Sequence, residues 1–259
     1  MISYGFFDSI FFVPIYGTLL IISAYLGYKL AKKEEKIFGG ERNYASQGLL
    51  QAFVIFLSLL YTFTFASSTN HFRDAKALVA QEADGISEVY RWAKQLDKED
   101  QRKFVQMLLE YSEFRADHSQ SYNRDRAIQL QGNMWDFIVL KEKDERYAWY
   151  AHKILEGLNT TTHLYWDKSY FDKDRVPLPA IMLIFVFSMI VTFFLGYTNE
   201  NRRAHFAVNV LTFVSLNLLM MLVIREIDML YHGLISINPE NIKDLVGFFH
   251  GVLENLNKN

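Results

Sequence analysis

Four long apolar runs punctuate the chain, and charged residues, Lys29 at the end of the first run excepted, keep to the segments between them. The first run covers Ile10 to Leu30, the second starts at Gly48 and continues to Ala66, the third covers Val176 to Tyr197, and the fourth runs from about Phe206 to Ile224. The second run carries no charge. About nineteen residues at 1.5 Å each are enough to cross a hydrocarbon layer of ~30 Å. Beyond it no proline interrupts the chain before Lys94, and apolar residues recur at helical spacing: Phe72, Ala75, Leu78 and Val79, Ala83, Ile86, Val89 and Tyr90, Ala93. The pattern predicts one helix of roughly 70 Å that spans a bilayer and continues past it. The alternative is two helices hinged at Ser67-Ser68-Thr69-Asn70.

The segment from 67 to 175 reads as helices throughout. Asp97 and Asp100 mark a helix start, and the helix that follows buries Phe104, Met107, Leu108, Tyr111 and Phe114. A further apolar run holds Met134, Trp135, Phe137, Ile138, Val139 and Leu140; the next helix carries Tyr147, Tyr150, Ala151, Ile154, Leu155 and Leu158. No window alternates with period two long enough for a strand, and glycine and proline are scarce. The expectation is an antiparallel helical bundle. Tyr16, Tyr25 and Tyr28 suit membrane interfaces, as do Trp166, Tyr170 and Phe171 before the third span. Pro177 and Pro179 fall where a helix start tolerates them. In the tail, Asn238 is expected as N-cap with Pro239 at the first helical position. Ile242, Leu245, Val246, Phe249, Val252, Leu253 and Leu256 then give an apolar face that docks on the bundle. The predicted fold is an all-α membrane protein: spans 1 and 2 within 1–66, a helical domain at 67–175, spans 3 and 4 within 176–224, and an amphipathic tail at 225–259.

Composition sharpens this picture. Apolar residues make up 51% of the chain beside 22% charged ones, so the charge is segregated. A formal net charge of -2 gives nucleic acid no basic surface to bind. With no cysteine there are no disulfides, thiolate metal sites or cysteine nucleophiles. The first apolar run lacks a basic leader and a small-residue cleavage site, which predicts no cleavable signal peptide. His71, His118, His152, His163, His205, His232 and His250 include no pair at i+3 or i+4, so a helical metal site is not expected. Gly-rich phosphate loops, a nucleophile elbow and a paired-carboxylate motif are missing. No cofactor and no enzyme activity are expected.

Polar residues inside the spans carry more information. Ser58, Thr62, Ala66 and Thr69 share one face of the second helix, with Thr64, Ser67 and Ser68 near its end; Asn209, Thr212 and Asn217 lie in the fourth span. Such residues either hydrogen-bond neighbouring helices or line a wet path. Phe53, Leu57, Leu60 and Thr64 follow at three- and four-residue steps and share a face. Facing an axis, they would form an apolar constriction that stops ions by dewetting; otherwise that face packs on the first or fourth span. Asn70, Arg73 and Asp74 lie one to two turns beyond the span, either ringing a vestibule or marking the water boundary. Lys32, Lys33, Lys36 and Arg42 in one short loop, with Arg202 and Arg203 in the other, mark a cytoplasmic side. That bias places the helical domain outside the cytoplasm.

Phe63-Thr64-Phe65, Asn70, Arg73, Ala77-Leu78, Glu82-Ala83 and Ile86 resemble the first motif of the bacterial bestrophin-like membrane proteins. Asp228, Gly233, Ile235 and Ile237 resemble the second, with Leu230 where that family often has proline. The resemblance covers nearly the whole chain. It implies kinship with the bestrophins, pentameric ion channels whose second span forms an apolar neck. By that analogy the neck comes from Phe53, Phe56 or Leu57, Leu60, and Phe63 or Thr64, with Asn70, Arg73 and Asp74 at a vestibule. The partners implied are the lipid bilayer, identical subunits and small inorganic ions, in a bacterial inner membrane. No acidic cluster like a calcium clasp precedes the tail. The resemblance places the helical domain in the cytoplasm, against the loop charges, which we follow. The rival function is a non-conducting membrane sensor or scaffold whose helical domain binds a partner.

Overall fold

The structure, a computed structural model, describes residues 4–38, 45–117, 123–171, 175–198, 203–230 and 237–258. These residues form nine helices and no strand: α1 (Tyr4–Asp8), α2 (Phe12–Phe38), α3 (Ala45–Ala93), α4 (Lys98–Ala116), α5 (Arg124–Glu142), α6 (Ala148–Phe171), α7 (Leu178–Thr198), α8 (Arg203–Asp228) and α9 (Glu240–Lys258). Four of them, α2, α3, α7 and α8, are long and apolar enough to cross a membrane. Gly39, Gly40, Arg42, Arg202, His118, His232, Gly233 and Ile235, all singled out in the sequence, lie outside the described residues, as do the side chains of Arg203 and His205.

No hinge interrupts α3 at Ser67 to Asn70. Its 49 residues form one helix, about 73 Å long at 1.5 Å per residue. The hydroxyl-bearing residues are accommodated within it. Ser58 donates to the Val54 carbonyl, Thr62 to Ser58 and Ser68 to Thr64, each one turn back, at 2.8, 2.8 and 3.0 Å. A hydroxyl satisfied on its own backbone can sit in an apolar span without a partner elsewhere.

The chain forms two compact units. The first, residues 1–71 and 175–235, contains α1, α2, the start of α3, α7 and α8. Its longest helix contact is between α2 and α7. Two glycines make that contact possible. A Cβ on Gly27 would lie 2.9 Å from the Phe193 carbonyl carbon, and one on Gly196 would lie 2.8 Å from that of Ala24. The backbones therefore touch, which is how small residues let helices associate where lipid offers no hydrophobic drive. Tyr16 belongs to this interior rather than to an interface. It is fully buried, stacked between Phe12 and Phe185, because one more turn of α2 lies ahead of it and α1 folds Phe7 over that turn. Tyr25 is exposed.

The second unit, residues 72–174 and 236–259, holds the rest of α3 with α4, α5, α6 and α9. Ile86, Val89 and Ala93 of α3 meet Phe104, Leu108 and Tyr111 of α4, Met134 and Ile138 of α5, Ile154 and Leu158 of α6, and Phe249 of α9 in one core. Asp97 caps α4 by accepting from the Asp100 N–H at 3.0 Å, and Asn123 caps α5 through the Arg126 N–H at 3.1 Å. The start of α9 falls one residue later than the sequence suggests. The Pro239 carbonyl accepts the first bonds, from the Ile242 and Lys243 N–H groups. The Asn238 amide instead reaches Glu240 and Lys243 through side-chain bonds.

Candidate functional site

Two stripes of α3 divide its membrane half. Leu57, Tyr61, Thr64 and Ser68 are buried, with Phe53 and Leu60 half-buried beside them. The stripe is occupied within the protomer. The Phe53 ring lies 6.0 Å from Phe187 and 5.7 Å from Phe194 of α7, and Leu57 and Tyr61 sit in the core of the membrane unit. The Tyr61 hydroxyl donates to Asn217 Oδ1 of α8 at 2.9 Å, which also accepts from Ser188 of α7 at 2.9 Å. The Asn217 amide returns to the Phe213 carbonyl at 2.9 Å. Asn217 and Ser188 thus join three spans through hydrogen bonds. Ser23 of α2 adds a fourth contact, on the Met189 carbonyl at 2.8 Å.

The opposite stripe is open. Phe56, Leu59, Phe63, Ala66, Asn70 and Arg73 follow at three- and four-residue steps, so they share a face, and every one is exposed; Leu59 and Phe63 keep 47% and 65% of their surface open. Phe56 still touches Phe187, with ring centroids 4.6 Å apart. The face is apolar through the membrane half and turns polar at Asn70 and Arg73, with Asp74 exposed beside them. Of the four spans, α3 is the one that the protomer covers least. Of the six neck residues expected, then, Phe56 and Phe63 lie on the open face, Leu57 and Thr64 are buried in the protomer, and Phe53 and Leu60 lie between.

Two charged constellations have no counterpart in the sequence reading. In the helical unit, Glu82 is fully buried on the inward face of α3. Arg115 of α4 grips it with two bonds, Nε to Oε1 at 2.6 Å and Nη2 to Oε2 at 2.8 Å. The Tyr111 hydroxyl donates to Oε1 at 3.0 Å and accepts from the Gln131 amide at 3.2 Å, and the Arg115 guanidinium lies over the Tyr165 ring at 4.8 Å. Burial alone would push the Glu82 carboxyl up; Arg115, with help from Lys168 and Tyr111, outweighs it and holds the group below the usual carboxylate range. Burial likewise works against charge on Arg115, and Glu82 more than offsets it, so the guanidinium is raised. Burial and the Glu82 charge push the Tyr111 hydroxyl well up. The signal was present in the sequence: Glu82 falls on the apolar stripe of Val79, Ala83 and Ile86, while Asp84 points outward.

In the membrane unit, Arg175 forms a clasp just ahead of α7. It meets both oxygens of Asp8 at 2.7 and 2.8 Å and Asp228 Oδ2 through Nε at 2.8 Å. Asp228 Oδ1 accepts the Val176 N–H at 2.9 Å. The bonds to Asp8 hold the Arg175 guanidinium above its ordinary value. Three elements distant in sequence are tied at one end of the unit. No spacing rule in the sequence joins Asp8 to Arg175. Among the described residues no three His, Asp or Glu side chains converge as metal ligands.

Comparison with solved structures finds the same fold. A crystal structure of a bacterial bestrophin homolog from Klebsiella pneumoniae, carrying a single substitution, superposes with a TM-score of 0.71 at 10% identity, over 95% of this chain and 99% of that one. A second from that organism, phased on zinc, gives 0.67 at 10% identity over 92% and 97%. Another substituted form gives 0.69 at 10% identity over 99% and 100%. A search of curated proteins finds no match. The model of the bestrophin-like domain matches residues 26–242, most of the sequence and both of its compact units, and the chain belongs to the bestrophin-like family.

Proposed function

We propose that the chain is the subunit of a homo-oligomeric ion channel, with the open stripe of α3 lining a shared axis. The observation that carries this reading is the stripe itself. The least covered span presents Phe56, Leu59 and Phe63 outward in line, followed by Asn70, Arg73 and Asp74. Repeated around an axis, large apolar side chains form a neck that empties of water and closes to ions without a charge barrier. Asn70, Arg73 and Asp74 form its mouth. The inner stripe of Phe53, Leu57, Leu60 and Thr64 then sets the position of α3 against α7 and α8 rather than touching ions. Membership in the family supports a channel over an enzyme, and a five-fold assembly by analogy. The basic residues Lys32, Lys33 and Lys36 at the end of α2 support an inner-membrane orientation with the helical unit outside the cytoplasm.

The test is flux of small anions and cations through reconstituted protein, comparing wild type with Phe63→Ala. The variant is expected to widen and wet the neck and raise flux, while Leu211→Ala, on the exposed face of α8, changes nothing. A stable monomer in bilayers, or no flux in either protein with assembly intact, favours the scaffold instead.

A further inference from the structure

The C-terminal end of α2 gathers four lysines on one face. Lys29, Lys32, Lys33 and Lys36 are spaced i, i+3, i+4 and i+7, an arc of about 100° at 3.6 residues per turn, and all four are exposed. The opposite face is occupied. Ala24, Gly27 and Ala31 are buried, Gly27 against the Phe193 carbonyl of α7, and Glu34 accepts from the Tyr197 hydroxyl of the same helix. Of the two acids on this stretch, Glu34 is thus turned away from the lysines and Glu35 stays exposed on their flank. Among the described residues none of the four lysines makes an ion pair. Deeper in the span the lysine face is apolar. Ile15, Ile22, Tyr25 and Leu26 run into Lys29, Lys32 and Lys33 at three-, four- and seven-residue steps, and each is left open by the protomer. From Ile15 to Leu26 the helix rises about 16 Å, roughly half of a ~30 Å hydrocarbon layer. Lys29 follows about 5 Å further on, where headgroups begin.

We propose that this face of α2 binds anionic phospholipid, with an acyl chain along Ile22, Tyr25 and Leu26 and the phosphate among the four lysines. The order of the chemistry carries the assignment. A phospholipid presents hydrocarbon and then negative charge, and the helix presents hydrocarbon and then positive charge along one line at the same scale. Ammonium groups are compact, hydrated point charges, suited to a headgroup that moves rather than to one fixed geometry. Four or more of them at the end of a span draw anionic lipid. Lys29 and Lys36 stand about 10 Å apart along the axis, and their long stems let the charged heads reach one layer. The rival occupant is a second copy of the chain. Its own like face would set lysine against lysine, which repel. The surface lies on α2, apart from the open stripe of α3, and it is read by binding rather than flux, so it stands whether or not the chain conducts.

The test is lipid retention by the full chain in mild detergent, read by native mass spectrometry. The protein is titrated with phosphatidylglycerol or with phosphatidylcholine of the same acyl chains. Wild type is expected to retain phosphatidylglycerol at least about tenfold better, since each lysine near the headgroups contributes about fivefold. The variant K29Q/K32Q/K33Q/K36Q is expected to lose that preference, and K29R/K32R/K33R/K36R to keep it. K94Q/K98Q/K143Q/K258Q removes as much charge from exposed lysines of the helical unit and is expected to keep it too. Should the quadruple glutamine variant not fold, K32Q and K33Q singly are expected to lower retention about fivefold each. Equal retention of the two lipids by wild type overturns the proposal. So does an unchanged preference in the folded glutamine variants, or the same loss from the helical-unit control. The spectra also give the oligomer mass. A smaller oligomer in the α2 glutamine variants, with lipid retention unchanged, assigns the face to a second copy and overturns the proposal as well.

Discussion

Glu82 shows how much a single residue decides in the helical unit. Its carboxylate is buried against Arg115, and removing one partner of such a pair strands the other charge. Glu82→Ala is expected to destabilise the protein by about 3–5 kcal/mol, read by thermal unfolding in detergent. The double replacement Glu82→Leu with Arg115→Met removes both charges and is expected to cost less than Glu82→Ala alone. The pH dependence has a definite sign. The folded carboxyl lies below its unfolded value of 4.5, so the pair stabilises fully above about pH 4.5. That contribution fades as pH falls through the folded value. Wild type is expected to lose melting temperature below pH 4.5 more steeply than the double variant; parallel curves would contradict this. Glu82 also shows what a sequence yields and withholds. Helical periodicity places it inward, but its partner lies 33 positions away on another helix, and no spacing rule reaches that far. Leu57 and Thr64 make the same point in the membrane half. Periodicity puts them on one face with Phe53 and Leu60, and only packing against α7 and α8 shows which way that face turns.

At the level of elements, the legible features are those written locally. The spans, the unbroken α3, the Asp97 cap and the apolar face of α9 all follow from short-range pattern, and each is present. α9 packs on α4, with Phe249 in the core of the helical unit. Phe249→Ala is expected to cost about 3–5 kcal/mol, and hydrogen exchange should show α9 opening before α4. Phe248, next to it and exposed, should tolerate the same change far better. The pairing of α2 with α7 was not legible, because a glycine in a span has the same sequence signature whether it faces lipid or a backbone. Gly27→Val is expected to abolish folded, monodisperse protein, since its Cβ would run into the Phe193 carbonyl. Gly48→Ala has open space around it and removes a helix penalty, so it is expected to stabilise by about 0.5–1 kcal/mol. Equal tolerance at both positions in a melting assay would mean that α2 and α7 do not touch as described.

For the whole molecule, sidedness and assembly are the questions that experiments should reach first. A cysteine in place of the exposed Arg102, in a chain with no other cysteine, is expected to react with an impermeant thiol reagent in intact cells. Protection there, with labelling after lysis, would put the helical unit in the cytoplasm. Native mass spectrometry in detergent is expected to show an oligomer rather than a protomer. The α2–α7 contact bears on how the membrane unit moves. Helices separated by side chains can slide, because rotamers absorb small shifts. Where backbone meets backbone at Gly27 and Gly196 there is no such bearing surface, and α2 and α7 travel as one piece. Any rearrangement within the membrane unit is therefore left to α3 and α8, whose seats are made of side chains. Spin labels on α2 and α7 should keep one distance under every condition, and labels pairing α2 with α3 should be the ones that report movement.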